Sequence, residues 1–297
     1  MYNVAIDVGN WKVKMSDDKI FDNGIQFFDS KPTLEIHTGF LNGKWFKAEE
    51  TRKSMQQDFL KDDYLLYLVA VALAKEDLGM EDEVHLILGT PFTNYANQAS
   101  RLISYFDRTQ VLEYQYEGKS YCFKIRKVTV YPQSFSAIAP YIAYYSDTNL
   151  LVVDIGSKTV DVLKMENAVP IESESGTLEF GTIVLLSMIS NQLMRNFSRE
   201  FPEKEIEKVL VGNKTNLNDE VVLQIKEVCK EYSNKLIALL QERGFDMDYS
   251  EVFFVGGGAS VIREYLEVNE NYSFDSNIFA NVEGYMYLFQ MQQETEV

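Results

Sequence analysis

The sequence has only two cysteines, Cys122 and Cys229, which lie far apart and without the spacing of a metal site. This scarcity excludes a disulfide framework and a zinc site, and it predicts two reduced thiols in the core. The longest apolar run, LLYLVAVALA at residues 65–74, is too short to cross a bilayer and predicts a buried helix. No basic stretch followed by an apolar one opens the chain. We therefore expect a cytoplasmic protein with no membrane partner.

Positive charge is also scarce: the sequence has 28 basic and 45 acidic residues, which gives a net charge of −17. Such a surface repels the phosphates of nucleic acids and of anionic membranes, so we expect no direct nucleic-acid contact by the body of the protein. With 297 residues, 46% of them hydrophobic, the chain can form one large domain or two of ordinary size.

Two similar segments begin the two halves of the chain: VAIDVGNWKVKM at residues 4–15 and LLVVDIGSKTVDVLKM at residues 150–165. Each predicts a strand, a glycine turn and a returning strand, with an aspartate where the first strand ends. No proline-rich or low-complexity linker separates the halves. The duplication predicts two related α/β domains that face each other across a cleft.

The glycine turns predict phosphate binding, since backbone N–H groups at a tight turn form a concavity for anions. Asp7 and Asp154 beside such turns suggest a hydrated Mg²⁺, held through water, because carboxylates otherwise repel phosphates. Either aspartate alone would be interpreted as an ordinary turn residue. The first strand pair also carries Lys12 and Lys14 on one face, and Lys14 is the better placed to reach phosphate oxygens.

A third segment, FFVGGGAS at residues 253–260, places three glycines between a hydrophobic strand and a helix. Such a turn leaves open backbone on which a flat ring can lie, and the helix start adds a favourable dipole. Alone, three glycines indicate only a tight turn between strand and helix. After the two aspartate turns, they predict the nucleoside side of a nucleotide site.

Five segments in this order resemble the actin, Hsp70 and sugar kinase superfamily, and within it the ParM and AlfA type of bacterial actin-like plasmid segregation protein. IDVGNWKVK is similar to its first phosphate motif, YPQSFSAIA to the first connecting helix and VVDIGSKTVDV to the second phosphate motif. FVGGGAS is similar to the adenosine motif and NVEGYMYL to the second connecting helix. LILGTPFTNYANQASRLISYF resembles a Gly-x-Pro segment of the ParM type.

The resemblance implies an α/β, actin-like (ribonuclease H-like) fold of duplicated domains with a nucleotide cleft between them. The first domain would cover residues 1–147 with a C-terminal helix at 278–297. The second would cover 148–277, with a small outer subdomain around 202–220. The implied activity is ATP- or GTP-dependent assembly into filaments, with Mg²⁺ as cofactor and slow hydrolysis. Implied partners are further copies of the chain and a basic adaptor protein bound to centromere-like plasmid DNA.

The resemblance also implies the roles of individual residues. Asp7 and Asp154 would organise Mg²⁺, and Gly181 and Thr182 would lie near the sugar or the phosphates. Lys204 or Lys208, in the segment EKEIEKV, would face the base. The phosphates would be held by Gly9, Asn10, Lys14, Gly156, Ser157 and Lys158, and the nucleoside by Gly256, Gly257 and Gly258.

Gln133 stands where the ParM type has a catalytic glutamate. Eukaryotic actins have a glutamine in this helix, so Gln133 would orient the attacking water without acting as a full general base. We therefore expect slow hydrolysis that is coupled to assembly. The simpler interpretation is a polar residue at a helix N-terminus with no chemical role.

Two other functions remain open from the sequence. IDVGNWKVK also resembles the first motif of type III pantothenate kinases, and a small-molecule kinase would need a base for the acceptor hydroxyl. Asp161 and Asp107 are the candidates for that base, although a strand-face and a loop position explain them more simply. The third function is a nucleotide switch of the chaperone type that does not polymerise.

Overall fold

The computed structural model describes residues 1–49, 59–76, 78–267 and 269–295, and the chain divides into two compact units. Unit 1 comprises Met1–Pro140 and Asn281–Val297, and unit 2 comprises Tyr141–Ala280. The domain limits expected from the sequence stay a prediction.

Unit 1 is built on a nine-stranded mixed sheet. The order across it is β3-β2-β1-β7-β9-β8-β5-β6-β4, and β7 runs parallel to both β1 and β9. The strands are β1 (Tyr2–Val8), β2 (Lys12–Met15), β3 (Ile20–Asp22), β4 (Ile25–Phe28), β5 (Thr38–Leu41), β6 (Lys44–Ala48), β7 (Glu83–Thr90), β8 (Val111–Tyr116) and β9 (Lys119–Pro132).

The helices of unit 1 are α1 (Tyr64–Lys75), α2 (Tyr95–Arg108), α3 (Phe135–Ile138) and α8 (Ala280–Thr295). Helix α1 confirms the buried helix expected from the apolar run, because every residue from Tyr64 to Leu73 is buried. The first connecting helix, which the resemblance of YPQSFSAIA implies, is a short α-helix: α3 passes into a 3₁₀ helix at Ala139–Tyr145. Pro140 explains the change, since it lacks the N–H that would continue the α-helical hydrogen bonds.

Unit 2 has a six-stranded sheet of order β12-β11-β10-β14-β15, with β13 paired to β11. Its strands are β10 (Asn149–Ile155), β11 (Val160–Glu166), β12 (Val169–Pro170), β13 (Gly176–Leu178), β14 (Glu251–Val255) and β15 (Tyr272–Phe274). Its helices are α4 (Thr182–Phe197), α5 (Glu203–Leu210), α6 (Asp219–Glu242) and α7 (Ala259–Arg263).

The core of unit 2 includes a ring pair between the start of α4 and the middle of α6. Tyr232 stacks on Phe180 with ring centroids 4.8 Å apart, and its hydroxyl donates to the Phe180 carbonyl at 2.6 Å. Between β11 and α4, β12 and β13 flank a 3₁₀ turn, because the Ser175 hydroxyl donates back to the Ile171 carbonyl and folds the segment.

Both cysteines are free, but only Cys229 is buried. The expectation of two core thiols is wrong for Cys122, which is half-buried on β9 opposite Glu113. Among the described residues, no helix is long and apolar enough to cross a membrane.

Candidate functional site

The two aspartate–glycine turns have the same construction in the two units. The Gly9 N–H donates to the Lys12 carbonyl at 3.1 Å, and the Gly156 N–H donates to the Thr159 carbonyl at 2.9 Å. A Cβ atom at Gly9 or Gly156 would lie only 3.0 or 3.1 Å from the same carbonyl oxygens. Glycine therefore lets each turn close tightly, and the repeat seen in the sequence is a repeat in structure.

The first turn is braced by a buried asparagine that the sequence did not mark. Asn23 donates from its side chain to the Gly9 carbonyl at 2.6 Å and from its backbone to the Trp11 carbonyl at 2.8 Å. Its own side-chain oxygen accepts a hydrogen bond from the Tyr64 hydroxyl at 3.1 Å. The turn is thus tied to helix α1, which sets the direction of its backbone groups.

Asp7 lies at the end of β1 with 2% of its surface exposed. Lys14, its register partner on β2, places Nζ 3.2 Å from Oδ2 of Asp7. Oδ1 of Asp7 accepts hydrogen bonds from the Gln133 side chain at 2.7 Å and from the Tyr285 hydroxyl at 3.2 Å. Unit 1 therefore brings Asp7, Lys14 and Gln133 together and adds Tyr285, which the sequence analysis missed.

Gln133 is fixed by the backbone on both of its sides. Its N–H donates to the Thr90 carbonyl at 2.8 Å. The next residue, Ser134, is fully buried at a φ of 62°, and its N–H donates to Oδ1 of Asn281 at 2.9 Å. A left-handed serine costs on the order of 1–3 kcal/mol and persists only where its surroundings hold it. The strain is consistent with a backbone shaped to direct Gln133 at Asp7.

Helix α8 approaches this region closely, which allows Tyr285 to reach Asp7. A Cβ atom at Gly89 would lie 1.8 Å from the Tyr285 hydroxyl oxygen. A Cβ atom at Gly284 would lie 1.9 Å from the Ser136 carbonyl oxygen. Any larger residue at either glycine would push α8 away from the Asp7 cluster.

The second turn is braced by the start of α4 instead of by an asparagine. Gly181 makes the close approach possible, since a Cβ there would lie 2.5 Å from the Ser157 carbonyl oxygen. Backbone hydrogen bonds then join the two segments: Gly181 N–H to Lys158 O at 3.0 Å, Thr182 N–H to Gly156 O at 3.0 Å and Ile183 N–H to Ser157 O at 2.9 Å.

The three glycines after β14 differ in what surrounds them. Gly256 has a φ of 85°, and a Cβ there would lie 2.4 Å from Oδ1 of Asp154. A Cβ at Gly258 would lie 2.2 Å from Cγ2 of Ile155, whereas Gly257 has no atom within 4 Å of its Cβ position. Two of the glycines therefore serve close packing on β10, and Gly257 presents the open surface.

Asp154 faces a second carboxylate, Asp161, in the β10–β11 register. Asp154 is 8% exposed, and Asp161 accepts hydrogen bonds from Thr177 at 2.6 Å and Thr159 at 2.9 Å. Burial raises the pKa of Asp161. Like charges on opposite residues of a strand pair repel one another, so this pair favours a cation or a proton nearby.

The donor set fits a water-mediated Mg²⁺ better than a directly bound one. No group of three histidine, cysteine or acidic side chains converges to hold a metal in the part of the chain that the structure describes. Mg²⁺ commonly keeps several water ligands and binds through one or two carboxylates plus phosphates. The Asp154–Asp161 pair suits that role, whereas the Asp7 charge is already offset by Lys14.

The remaining predicted lysines lie elsewhere in the described structure. Lys12 pairs with Asp22 across β2 and β3. Lys208, on α5, donates to Glu205 at 2.5 Å, and Lys204 is exposed on the same helix. Their expected contact with a base stays a prediction.

Comparison with known proteins identifies two family models that follow each other along the chain. The N-terminal domain of actin-like proteins matches residues 5–135, and the C-terminal domain of archaeal MreB-like actin homologues matches residues 152–268. A search of the curated proteins found no match.

Solved structures agree in fold. Ta0583, an archaeal actin homologue in complex with ADP, has a TM-score of 0.77 at 20% identity and covers 98% of this chain and 100% of its own. A ParM from a 15-stranded filament of Clostridium botulinum has a TM-score of 0.71 at 18% identity, covering 98% and 99%. The actin-like protein Alp7A has a TM-score of 0.79 at 13% identity, covering 99% and 97%. The actin-like α/β fold predicted from the sequence is confirmed.

Proposed function

We propose that this chain is an actin-like protein that acts as a nucleotide-dependent, filament-forming ATPase, with slow hydrolysis that is coupled to assembly. The observation that carries the proposal is the pair of matched turns at residues 7–10 and 154–157, each tied by the same glycine hydrogen bond. Both turns present an aspartate at a strand end, as a Mg²⁺–polyphosphate site requires.

ATP is the nucleotide we propose. The archaeal actin homologue similar to this chain was solved with ADP, which favours adenine over guanine nucleotides. The backbone at Gly257 has open space around it, and this supports a nucleoside lying on the triple-glycine turn. In this proposal the phosphates take backbone N–H groups from the two turns, and Lys14 adds a positive charge.

The catalytic residues we propose are Gln133, Asp7 and Asp154, with Asp161 added by the structure. Mg²⁺ would neutralise phosphate charge when bound with the nucleotide. Asp154 and Asp161 would hold its water ligands, because the β10–β11 register places these two carboxylates opposite each other. Asp7 holds the Gln133 amide at 2.7 Å, so Gln133 would orient the attacking water and Asp7 would position Gln133.

Assembly with further copies of the chain is the other half of the proposal. Two of the similar structures are filaments, one of Alp12 and one of ParM. The resemblance to ParM-type proteins supports plasmid segregation as the cellular role. The net charge of −17 suits a basic adaptor protein that itself binds the DNA.

Nucleotide-dependent sedimentation tests this function directly. The protein is mixed with Mg²⁺ and ATP, GTP or a non-hydrolysable analogue, and right-angle light scattering and pelleting are followed together with phosphate release. We expect pelleting with ATP, followed by slow phosphate release and disassembly. No pelleting at high concentration, together with ADP formation stimulated by a pantothenate-like hydroxyl compound, would favour a small-molecule kinase. Nucleotide turnover without pelleting and without stimulation by the hydroxyl compound would favour a switch of the chaperone type.

Substitution of Asp154 by alanine tests the metal role within the same assay. We expect Asp154→Ala to abolish or greatly slow phosphate release, because the Mg²⁺ water ligands lose a buried carboxylate. Far-UV circular dichroism serves as the folding control. Normal turnover in this variant would remove Asp154 from the proposed mechanism.

A further inference from the structure

Strand β8 of unit 1 has an open edge where β5 diverges from it. β9 pairs with β8 over its whole length, from Val111 to Tyr116. β5 pairs with β8 only through Gly39–Tyr116 and Phe40–Gln115. In the described part of the chain, no strand takes up the position beside the first residues of β8.

The direction of the backbone groups on this edge follows from two hydrogen bonds. The Ile125 N–H donates to the Gln110 carbonyl, so the backbone groups of Gln110 point towards β9. The Glu117 N–H donates to the Thr38 carbonyl, so the groups of Glu117 point towards β5. Because directions alternate along an antiparallel strand, the N–H and C=O groups of Val111 and Glu113 point away from β9. The open edge therefore offers hydrogen-bonding groups to an added strand.

Two cavities lie along this edge, with volumes of about 380 Å³ and 490 Å³. They share Leu41, Asn42 and Glu113, and together we call them the β8 groove. Leucine, valine, methionine and aromatic side chains make up about half of its described lining, and Met80 and Val111 are about half exposed, at 52% and 51%. The groove thus offers an apolar floor that extends to solvent.

The charged residues that the structure describes around the β8 groove are acidic. Asp63, Glu81 and Glu113 line the two cavities, and no lysine or arginine is among the described residues that line them. Tyr114 lines the groove at 5% exposure, and its hydroxyl has no hydrogen-bond partner among the described residues. A buried hydroxyl without a partner is costly, so a ligand that supplies an acceptor gains from binding here.

We propose that the β8 groove binds an extended, lysine- or arginine-bearing segment of a partner protein, which joins the sheet as a strand beside β8. Main-chain hydrogen bonds to Val111 and Glu113 supply affinity, and alternate side chains of the added strand contact the apolar floor and the carboxylates. Charge decides the occupant, because a chain of net charge −17 is a poor source of cationic segments for itself. The cellular meaning of this site, docking of a basic adaptor, rests on the proposed function.

The probe is a fluorescent peptide of roughly nine residues that alternates lysine and valine, compared with the glutamate–valine peptide of the same length. Binding is measured by fluorescence anisotropy at low salt and again at 0.5 M salt. We expect binding of the lysine peptide alone, and weaker binding at the higher salt, since screening reduces the attraction of exposed charges.

Cys122 provides a second readout because it lines the groove. Bound peptide should slow its alkylation by N-ethylmaleimide several-fold, measured by mass spectrometry. Cys229 is the internal reference, since burial raises the pKa of its thiol to about 12 and keeps it slow to react.

Three variants separate this site from general charge effects. Val111→Pro removes an outward N–H at the first residue of β8, where proline is tolerated in a strand. Glu113→Lys reverses a carboxylate of the rim. We expect each to weaken peptide binding at least tenfold, and Glu231→Lys, an exposed reversal on α6, to leave it unchanged.

The outcomes distinguish this inference from the proposed function. Loss of peptide binding in the groove variants, with their nucleotide-dependent pelleting intact, supports the site. Equal binding to wild type and Glu113→Lys, or no protection of Cys122, overturns it and leaves the filament proposal standing. Groove variants that fail to pellet without any peptide also overturn it, because the groove is then a contact between copies. Failure of the wild type to pellet counts against the proposed function only.

Discussion

Adjacent glycines after β14 give the sharpest test of how the second turn is built. Gly258→Ala would place a Cβ atom 2.2 Å from Cγ2 of Ile155 and 2.9 Å from Cγ2 of Thr182. Carbon atoms in contact prefer about 3.5–4.0 Å, so the triple-glycine turn or the end of β10 must move by about 1 Å. Ile155 is fully buried, which leaves its side chain little room to turn away. Overpacking of this kind costs about 1–3 kcal/mol of unfolding free energy.

Gly257→Ala is the matched control for this substitution. Its Cβ position has no atom within 4 Å. We expect its free energy of unfolding to stay within about 0.5 kcal/mol of the wild type. The same methyl group would instead cover the open backbone where we propose that the nucleoside lies, so nucleotide affinity should fall while stability is kept.

The assay follows the two units separately. Both tryptophans, Trp11 and Trp45, belong to unit 1, so their fluorescence reports on that unit during urea unfolding. Hydrogen exchange in the segments 150–165 and 251–263 reports on unit 2. We expect faster exchange in these segments for Gly258→Ala and a melting temperature lower by about 2–4 °C for each kcal/mol.

Three results would refute the reasoning about these glycines. The steric argument would be contradicted if Gly258→Ala kept the wild-type free energy of unfolding. It would also be contradicted if Gly257→Ala lost as much free energy of unfolding as Gly258→Ala. Gly257→Ala with unchanged nucleotide affinity, measured by titration with a fluorescent ATP analogue, would remove the nucleoside from that surface.

Three further predictions concern Gln133, Asp161 and the buried His85. Gln133→Ala should slow phosphate release by about 100-fold through loss of water positioning, with pelleting kept; loss of nucleotide binding would contradict this role. Asp161→Asn should stabilise the metal-free protein in urea and raise the Mg²⁺ concentration needed for turnover, and an unchanged Mg²⁺ requirement would argue against its role. Burial lowers the pKa of His85 from 6.5 to about 4. As the pH is lowered from 6.5 to about 4, the unfolded state therefore binds the proton before the folded state does, and the free energy of unfolding decreases. That loss should reach about 3 kcal/mol and be missing in His85→Leu, whereas parallel pH curves for the two proteins would refute it.

The sequence predicted most elements that carry periodic or turn signals. The hairpin of β1 and β2 and the buried helix α1 occur where the pattern placed them. The strand β15 was missed, because its three half-buried residues give too short an alternation to recognise. Tertiary pairing with β14, and not local preference, makes it a strand.

The supports of the candidate site could not be predicted in the same way. Tyr285 and Asp7 are 278 residues apart in the chain, and no local pattern signals their hydrogen bond. Asn23 lies in a segment whose asparagine and glycine indicate an ordinary turn, yet it is 4% exposed and holds the Gly9 carbonyl. Such groups become recognisable only when the fold brings them to a motif that the sequence does reveal.

The matched turns differ in the residue that lies opposite each aspartate. In unit 1 the register places Lys14 opposite Asp7, so the aspartate's charge is offset locally and its oxygens are used to orient Gln133. In unit 2 the same register position holds Asp161, which faces Asp154 with another carboxylate. A cation near Asp154 would relieve the repulsion between these two carboxylates. The single exchange of lysine for aspartate accounts for why we assign water positioning to the first turn and Mg²⁺ to the second.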